Sequence, residues 1–266
     1  MELTLATDKM RGTIEDGVGW MTFNNPARHN ALSLEMWQGV GDILERFEAD
    51  DSVRLVVMQG AGGKAFVSGA DISEFDSKRA NAKQKAEYAR ISARDGRALA
   101  TVSKPLIAKI EGYCIGGGLA TALNADIRFA TPDSTFGIPA ARLGLGYDYE
   151  GLAKLSRVVG PSRARDILLS ARFLNAEEAL RIGLVNFIVE RDEIHDEVVQ
   201  YAHRVAANAP LTVRAAKAAV DAWERGGLED DLDGVRQLVN ACFDSEDYKE
   251  GRRAFAEKRP PRFAGR

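Results

Sequence analysis

The chain has 266 residues, 45% of them hydrophobic and 28% charged, enough for one large core or a core with an appended helical piece. A net charge of −3 and a pI near 5.8 leave no basic footprint for nucleic acid, and no apolar run reaches the ~18 residues of a membrane span. Cys114 and Cys242 are far apart without metal-ligand spacing, and the N-terminus lacks the marks of a signal or transit peptide, so a reduced, cytoplasmic setting without metal is expected.

In chain order, Gly12–Glu15 and Val18–Phe23 flank Asp16-Gly17, a hairpin signal. Asn24-Asn25-Pro26 breaks the second strand, and Ser33 is placed to cap a helix whose apolar residues Leu34, Met36, Trp37, Val40, Ile43, Leu44 and Phe47 recur at helical spacing. Val53–Gly60 reads as a buried strand. The Ala61-Gly62-Gly63-Lys64 turn after it is no phosphate loop, because Met58 and Ala65 stand where that motif needs glycine and Ser/Thr. Ala65–Ile72 is a strand running into a glycine turn; the polar stretch from Ser73 to about Lys85 predicts a mobile surface loop, and a helix follows from about Ala86 to Thr101.

The central stretch is Lys109–Ala120, where the β-branched run Pro105–Ile110 reaches Gly116-Gly117-Gly118 and a helical segment, Leu119–Ala125, begins. Bare backbone N–H groups at such a turn can hold an anion or an oxygen that becomes negative; alternatively, the glycines only permit a tight turn or close packing. Ala125–Ala130 is a further strand, and Ser134–Pro139 leads into Ala140–Gly151. Strand–helix alternation gives an α/β fold. Beyond Leu152 the pattern is mainly helical (152–159, 162–169, 176–182, 194–208, 211–225 and 228–242, with a short strand at 184–189), closing in a basic extended tail at Lys258–Arg262. Residues 1–200 are expected to form the core and 201–266 a helical region whose apolar residues dock on the core or on another subunit.

Several stretches in order resemble the crotonase, or enoyl-CoA hydratase/isomerase, superfamily: Asn25–Leu32, Ala65–Ile72, Gly112–Leu119, Ala125–Ala130 and Arg172–Asn186. The resemblance implies a spiral of ββα turns with a C-terminal helical trimerisation region, assembled as a homotrimer or a hexamer made of two trimers. It implies an acyl-CoA substrate, as in fatty acid metabolism, with coenzyme A entering only as part of the thioester and no other cofactor. The thioester oxygen would lie between the amides of Ala70 and Gly117; Arg28, Ala31, Ser68, Ala70, Asp71, Ile72, Gly116 and Gly117 would contact the CoA ester.

The sequence departs from the family's hydratases at the two positions where these carry glutamates, which hold Ala120 and Ala140 here. An alanine neither activates water nor delivers a proton. Asp148 resembles the functional aspartate of the family's dienoyl-CoA isomerases and aryl-CoA dehalogenases, as base or nucleophile; it also suits the N-cap of a helix starting near Glu150. Tyr147 matches a tyrosine of methylmalonyl-CoA decarboxylases. The resemblance thus points to lyase or isomerase chemistry, with decarboxylation of a malonyl-type CoA ester and a non-catalytic CoA-binding homologue as alternatives. Glu111 and Asp126 are expected in structural ion pairs with Lys109 or Arg128, and His195 and His203 on a surface helix.

Overall fold

The computed structural model describes residues 1–71, 82–147 and 149–266. Strands β1 (Met10–Glu15) and β2 (Val18–Phe23) form the expected hairpin, with Asp16 and Gly17 at φ +47° and +81°, the pair of positive values that a two-residue turn of the favoured twist requires. Helix α1 (Leu34–Ala49) starts where Ser33 accepts a hydrogen bond from the Met36 amide (3.4 Å) and buries Met36, Val40, Ile43, Leu44 and Phe47. Lys104 donates to the Phe47 and Asp50 carbonyls (2.5 and 2.7 Å), placing a cation where the helix leaves its last carbonyls unpaired.

The chain then winds in a spiral. Three times a strand in a six-stranded sheet bends into a short strand of a four-stranded sheet: β3 (Leu55–Gly60) into β4 (Ala65–Val67), β5 (Leu106–Ile110) into β6 (Tyr113–Ile115), and β7 (Ile127–Ala130) into β8 (Thr135–Gly137). With β9 (Leu174–Asn175) and β10 (Phe187–Ile188), the sheet orders are β1-β2-β3-β5-β7-β10 and β4-β6-β8-β9, parallel apart from the pairs β1–β2 and β8–β9. Alternate residues of β3 point to opposite faces: Val56 and Met58 enter the main core with Phe23, Phe47, Phe66 and Phe136, while Leu55 and Val57 pack with Trp20 and α7 (Ile194–Ala206). Both faces are covered, so these strands read as unbroken apolar runs.

Several expectations change. The Pro105–Ile110 run is β5, but a further short strand, β6, stands between it and Gly116, because Gly112 (φ +72°) turns a corner; a side chain there would lie 2.1 Å from the Lys64 carbonyl oxygen. Helix α2 (Ala82–Thr101) begins four residues before Ala86, and most of the expected loop, residues 73–81, lies outside the described residues. Helix α3 is Gly117–Ala122 rather than 119–125, and α4 starts at Tyr149 and ends at Val159. After α5 (Pro161–Ser170), α6 (Ala176–Arg181), α7, α8 (Pro210–Glu224) and α9 (Glu229–Asp244), an unexpected α10 (Glu246–Glu257) is capped by Ser245, which accepts from the Tyr248 amide. The basic tail is extended but pinned. Arg259 pairs with Glu250, and the buried Asp247 carboxylate accepts from the Ala264 and Gly265 amides (2.6 and 2.8 Å). Residue 200 falls inside α7, so the C-terminal helices continue from the core without a linker. Trp223, Val220, Leu228, Phe243 and Phe255 on those helices are exposed. No helix among the described residues is long and apolar enough to cross a membrane.

Candidate active site

Two glycine bends meet at the C-terminal ends of β4 and β6. After β4, the Ser68 amide donates to the His29 carbonyl (3.1 Å), and Gly69 takes φ +120°. Leu32 then pairs across the chain: its amide donates to Gly69 (2.8 Å) and its carbonyl accepts from Asp71 (2.9 Å). Ala70, between those two, turns its own N–H to the opposite side, as a parallel bridge dictates. Among the described residues nothing accepts from it.

The second bend follows β6. The Gly116 amide donates to the Gly137 carbonyl (2.8 Å), and Gly116 itself sits at φ +56°, ψ −117°, a region that side chains avoid. Gly117 then opens α3, and its N–H, ahead of any intrahelical acceptor, has no partner among the described residues.

The three glycines therefore do different work. Gly116 supplies the backbone conformation. Gly118 supplies close packing, since a Cβ there would lie 2.0 Å from the Val67 carbonyl oxygen; its absence lets α3 press onto β4. Gly117 has neither need: its φ is ordinary, and a Cβ would meet the Ala70 nitrogen at 3.6 Å, normal contact. That distance puts the Ala70 and Gly117 nitrogens no more than about 6 Å apart, a span that two donors each ~3 Å from one oxygen can bridge.

Ala120 stands on α3 one turn beyond Gly116, whose carbonyl accepts its amide (3.0 Å), and Ala140 is buried in the short 3₁₀ turn Pro139–Leu143. The half-buried Tyr147 reaches in from the other side, its hydroxyl 3.5 Å from where a Gly116 side chain would start and its ring 3.8 Å from the corresponding point on Gly151. Cys114 is no nucleophile here: complete burial pushes its thiol far above the usual range, leaving it neutral.

The loop that carries Arg28 and Ala31 runs beside the first bend. Ala31 donates to the Arg28 carbonyl (3.0 Å), which also accepts from the Ser68 hydroxyl (3.5 Å), and the exposed Arg28 guanidinium lies 3.5 Å from the Asp71 carboxylate. Arg28, Ala31, Ser68, Ala70 and Asp71 thus gather on one side, and Gly116, Gly117 and Tyr147 on the other. Ile72 and Asp148 lie outside the described residues.

Sequence reasoning gave Asn30 no role of its own. Fully buried and left-handed (φ +56°), it accepts from the Asn25 amide (2.8 Å) and donates to the Ala61 and Ala65 carbonyls (3.0 and 2.7 Å), locking the loop to the β3–β4 corner. An asparagine just after Asn-Pro, in a segment with no helix or strand pattern, was the available signal.

The expected ion pairs are partly redrawn. Glu111 pairs with Lys109 (3.1 Å) and also Arg191 (3.2 Å), but Asp126 pairs with Lys217 (2.7 Å); the buried Arg128 donates instead to the Leu184 and Ala125 carbonyls. His195 and His203 are both exposed on α7, as expected, and the His195 ring also packs on Trp20 (centroids 5.3 Å apart). Among the described residues no three His, Cys, Asp or Glu side chains are grouped to hold a metal ion.

A protein-family model described as Enoyl-CoA hydratase/isomerase matches residues 13–266. The chain is 35% identical over 245 residues to the short-chain-enoyl-CoA hydratase of Clostridium acetobutylicum, covering 92% of this chain and 93% of that protein. It is 34% identical over 253 residues to the crotonyl-CoA hydratase of Syntrophomonas wolfei (94% and 95%). Among solved structures, an enoyl-CoA hydratase/carnithine racemase from Magnetospirillum magneticum superimposes with a TM-score of 0.91 at 38% identity, covering 98% of this chain and 97% of that one. The two-sheet spiral with its C-terminal helices is the fold of these neighbours, and the chain belongs to the enoyl-CoA hydratase/isomerase family of acyl-CoA enzymes.

Proposed function

We propose that the protein binds an acyl-CoA thioester with its carbonyl oxygen between the Ala70 and Gly117 amides and stabilises the enolate formed when charge moves onto that oxygen. The observation that supports this reading is the proximity of two backbone N–H groups, from separate bends, that have no acceptor among the described residues. In other oxyanion holes one such donor is worth roughly 3–4 kcal/mol in the transition state. Arg28, Ala31, Ser68, Asp71, Ile72 and Gly116 are assigned to the CoA ester on the same reading, with no cofactor beyond coenzyme A itself.

The chemistry we assign is that of a lyase or isomerase on an enoyl-type CoA ester, with Asp148 carrying the proton and Tyr147 positioning it. Relatives are named as hydratases, but methyl groups at Ala120 and Ala140 supply no acid or base for adding water. Crotonyl-CoA hydration is therefore expected far below the rate of a two-glutamate enzyme.

Decarboxylation of a malonyl-type CoA ester is the second reading, favoured by the Tyr147 hydroxyl beside Gly116: loss of carbon dioxide forms the enolate without a strong base. A screen of CoA thioesters followed by mass, with ultraviolet absorbance for mass-neutral isomerisation, separates the two. Asp148→Asn abolishes isomerisation on the first reading and leaves decarboxylation intact on the second; turnover of no ester at all refutes both and leaves a CoA-binding protein. The exposed apolar residues of α8–α10 support assembly as a homotrimer or a pair of trimers, and we assign the protein to the cytoplasm.

A further inference from the structure

The corners of the spiral, at the opposite ends of the short strands from the two bends, are joined by one side chain. Arg191, between β10 and α7, donates through Nη1 to the Gly63 carbonyl (2.7 Å) at the β3–β4 corner and to Glu111 Oε1 (3.2 Å) at the β5–β6 corner, and through Nη2 to Asp133 Oδ2 (2.6 Å) at the β7–β8 corner. The other Glu111 oxygen pairs with Lys109 (3.1 Å), whose amine also donates to Gln59 of β3 (3.3 Å). A planar guanidinium holds several acceptors in one fixed arrangement, which the point charge of a lysine does not.

Each of those corners starts a strand of three residues, and each strand leads to a part of the candidate site. β4 runs on to Ala70, β6 runs on to Gly117, and β8 ends in Gly137, whose carbonyl holds the Gly116 amide. The ladder between the first two is irregular: Ala65 stands opposite Tyr113 but Val67 opposite Cys114, so β4 carries one residue more than β6 over the same span. At the corners the backbone links are the Tyr113 amide to the Lys64 carbonyl and the Thr135 amide to the Gly112 carbonyl (both 3.1 Å). A side chain gripping all three corners fixes the offset that so short and irregular a ladder leaves loosely set. Its contribution to folding is small by contrast, since the Arg191 and Asp133 side chains are 43% and 59% exposed and such surface pairs add little.

We propose that Arg191 is a positioning residue: by tying the three corners it sets the separation of the Ala70 and Gly117 amides, one short strand (~10 Å) away. This inference rests on the reading of those amides as the site of the thioester oxygen. Without the tie, β4 and β6 shift against each other and one amide leaves hydrogen-bonding range of that oxygen.

The test compares the wild type with Arg191→Met and Arg191→Lys, using butyryl-CoA labelled with carbon-13 at the thioester carbon as the bound probe and thermal unfolding as the check on the fold. The infrared band of the labelled carbonyl, lowered on binding to the wild type, is expected to move back toward its solution position in both variants, while the melting temperature falls by no more than about 4 °C. On whichever ester the wild type turns over, kcat is expected to fall about tenfold with KM unchanged, because a misplaced donor is felt in the transition state rather than in holding coenzyme A. Asp133→Asn, which loosens only the third corner, gives a smaller change of the same sign and carries the test should Arg191→Met not fold. A band and a kcat that keep their wild-type values in Arg191→Met, or that Arg191→Lys restores in full, overturn the proposal. A wild-type band that never leaves its solution position is the separate result that sinks the two-amide reading, and this inference with it.

Discussion

Replacing Gly117 with alanine separates a structural from a chemical role for the central glycines. The added methyl carbon lies 3.6 Å from the Ala70 nitrogen and 3.8 Å from the Gly69 carbonyl carbon, both ordinary contacts, and Gly117 has no positive φ to strain it. Folding stability is thus expected to stay level or rise by up to about 1 kcal/mol, the usual helix preference for alanine over glycine. The new carbon lies beside the gap, about 2.5 Å from its own nitrogen and 3.6 Å from the Ala70 nitrogen, so it crowds an oxygen held by both. Alanine keeps the Gly117 N–H, so the effect expected is steric: a methyl that displaces the oxygen from one of the two amides lowers turnover by up to about 10²–10³-fold, or roughly 3–4 kcal/mol. The assay pairs thermal unfolding with turnover of whichever CoA ester the wild type accepts. A well-folded Gly117→Ala protein with wild-type turnover would refute the two-amide account.

Gly118→Ala is expected to behave oppositely, failing to fold or losing several kcal/mol in denaturant titration, because its methyl would sit 2.0 Å from the Val67 carbonyl oxygen, a backbone atom that cannot turn aside. Asn30→Ala strands the Asn25 amide and the Ala61 and Ala65 carbonyls, and a loss on the order of 3–5 kcal/mol in the same titration is expected. Burial raises the pKa of Asp221 above its ordinary 3.8, so its native state binds a proton more tightly than its unfolded state; that contribution to stability is present below pH 3.8 and lost as pH rises through the folded value. Asp221→Asn should accordingly raise the melting temperature at neutral pH, with the gain shrinking toward pH 3.8; a gain that instead grew on acidification would contradict the sign.

Local chemistry was the legible part of the fold. Asp16-Gly17 announced the hairpin and Ser33 the start of α1, since each acts within a few residues of itself. The corner at Gly112 was hidden because a single glycine four residues before Gly116-Gly117-Gly118 carries no turn signal of its own, and what demands a bend is the Lys64 carbonyl, 48 positions away. Helix α10 was missed because it carries only two apolar side chains of any size, Tyr248 and Phe255, too few for a periodic signal; a serine cap and ion pairs define it instead. At the site, family-like segments named residues that the spiral gathers, but could not divide labour among Gly116, Gly117 and Gly118. The atoms that distinguish them, the Val67 carbonyl and the Ala70 nitrogen, belong to the neighbouring turn of the spiral. Asp126 was assigned a partner close in sequence, Arg128, when the true partner, Lys217, comes from α8.

The most direct test of the central claim is the infrared carbonyl stretch of an acyl-CoA ester labelled with carbon-13 at the thioester carbon. Two amides polarising that oxygen predict a lower frequency in the bound ester than in water, and a return toward the solution value in Gly117→Ala. A bound carbonyl that vibrates as it does in water, or one whose shift survives the substitution, would contradict the account.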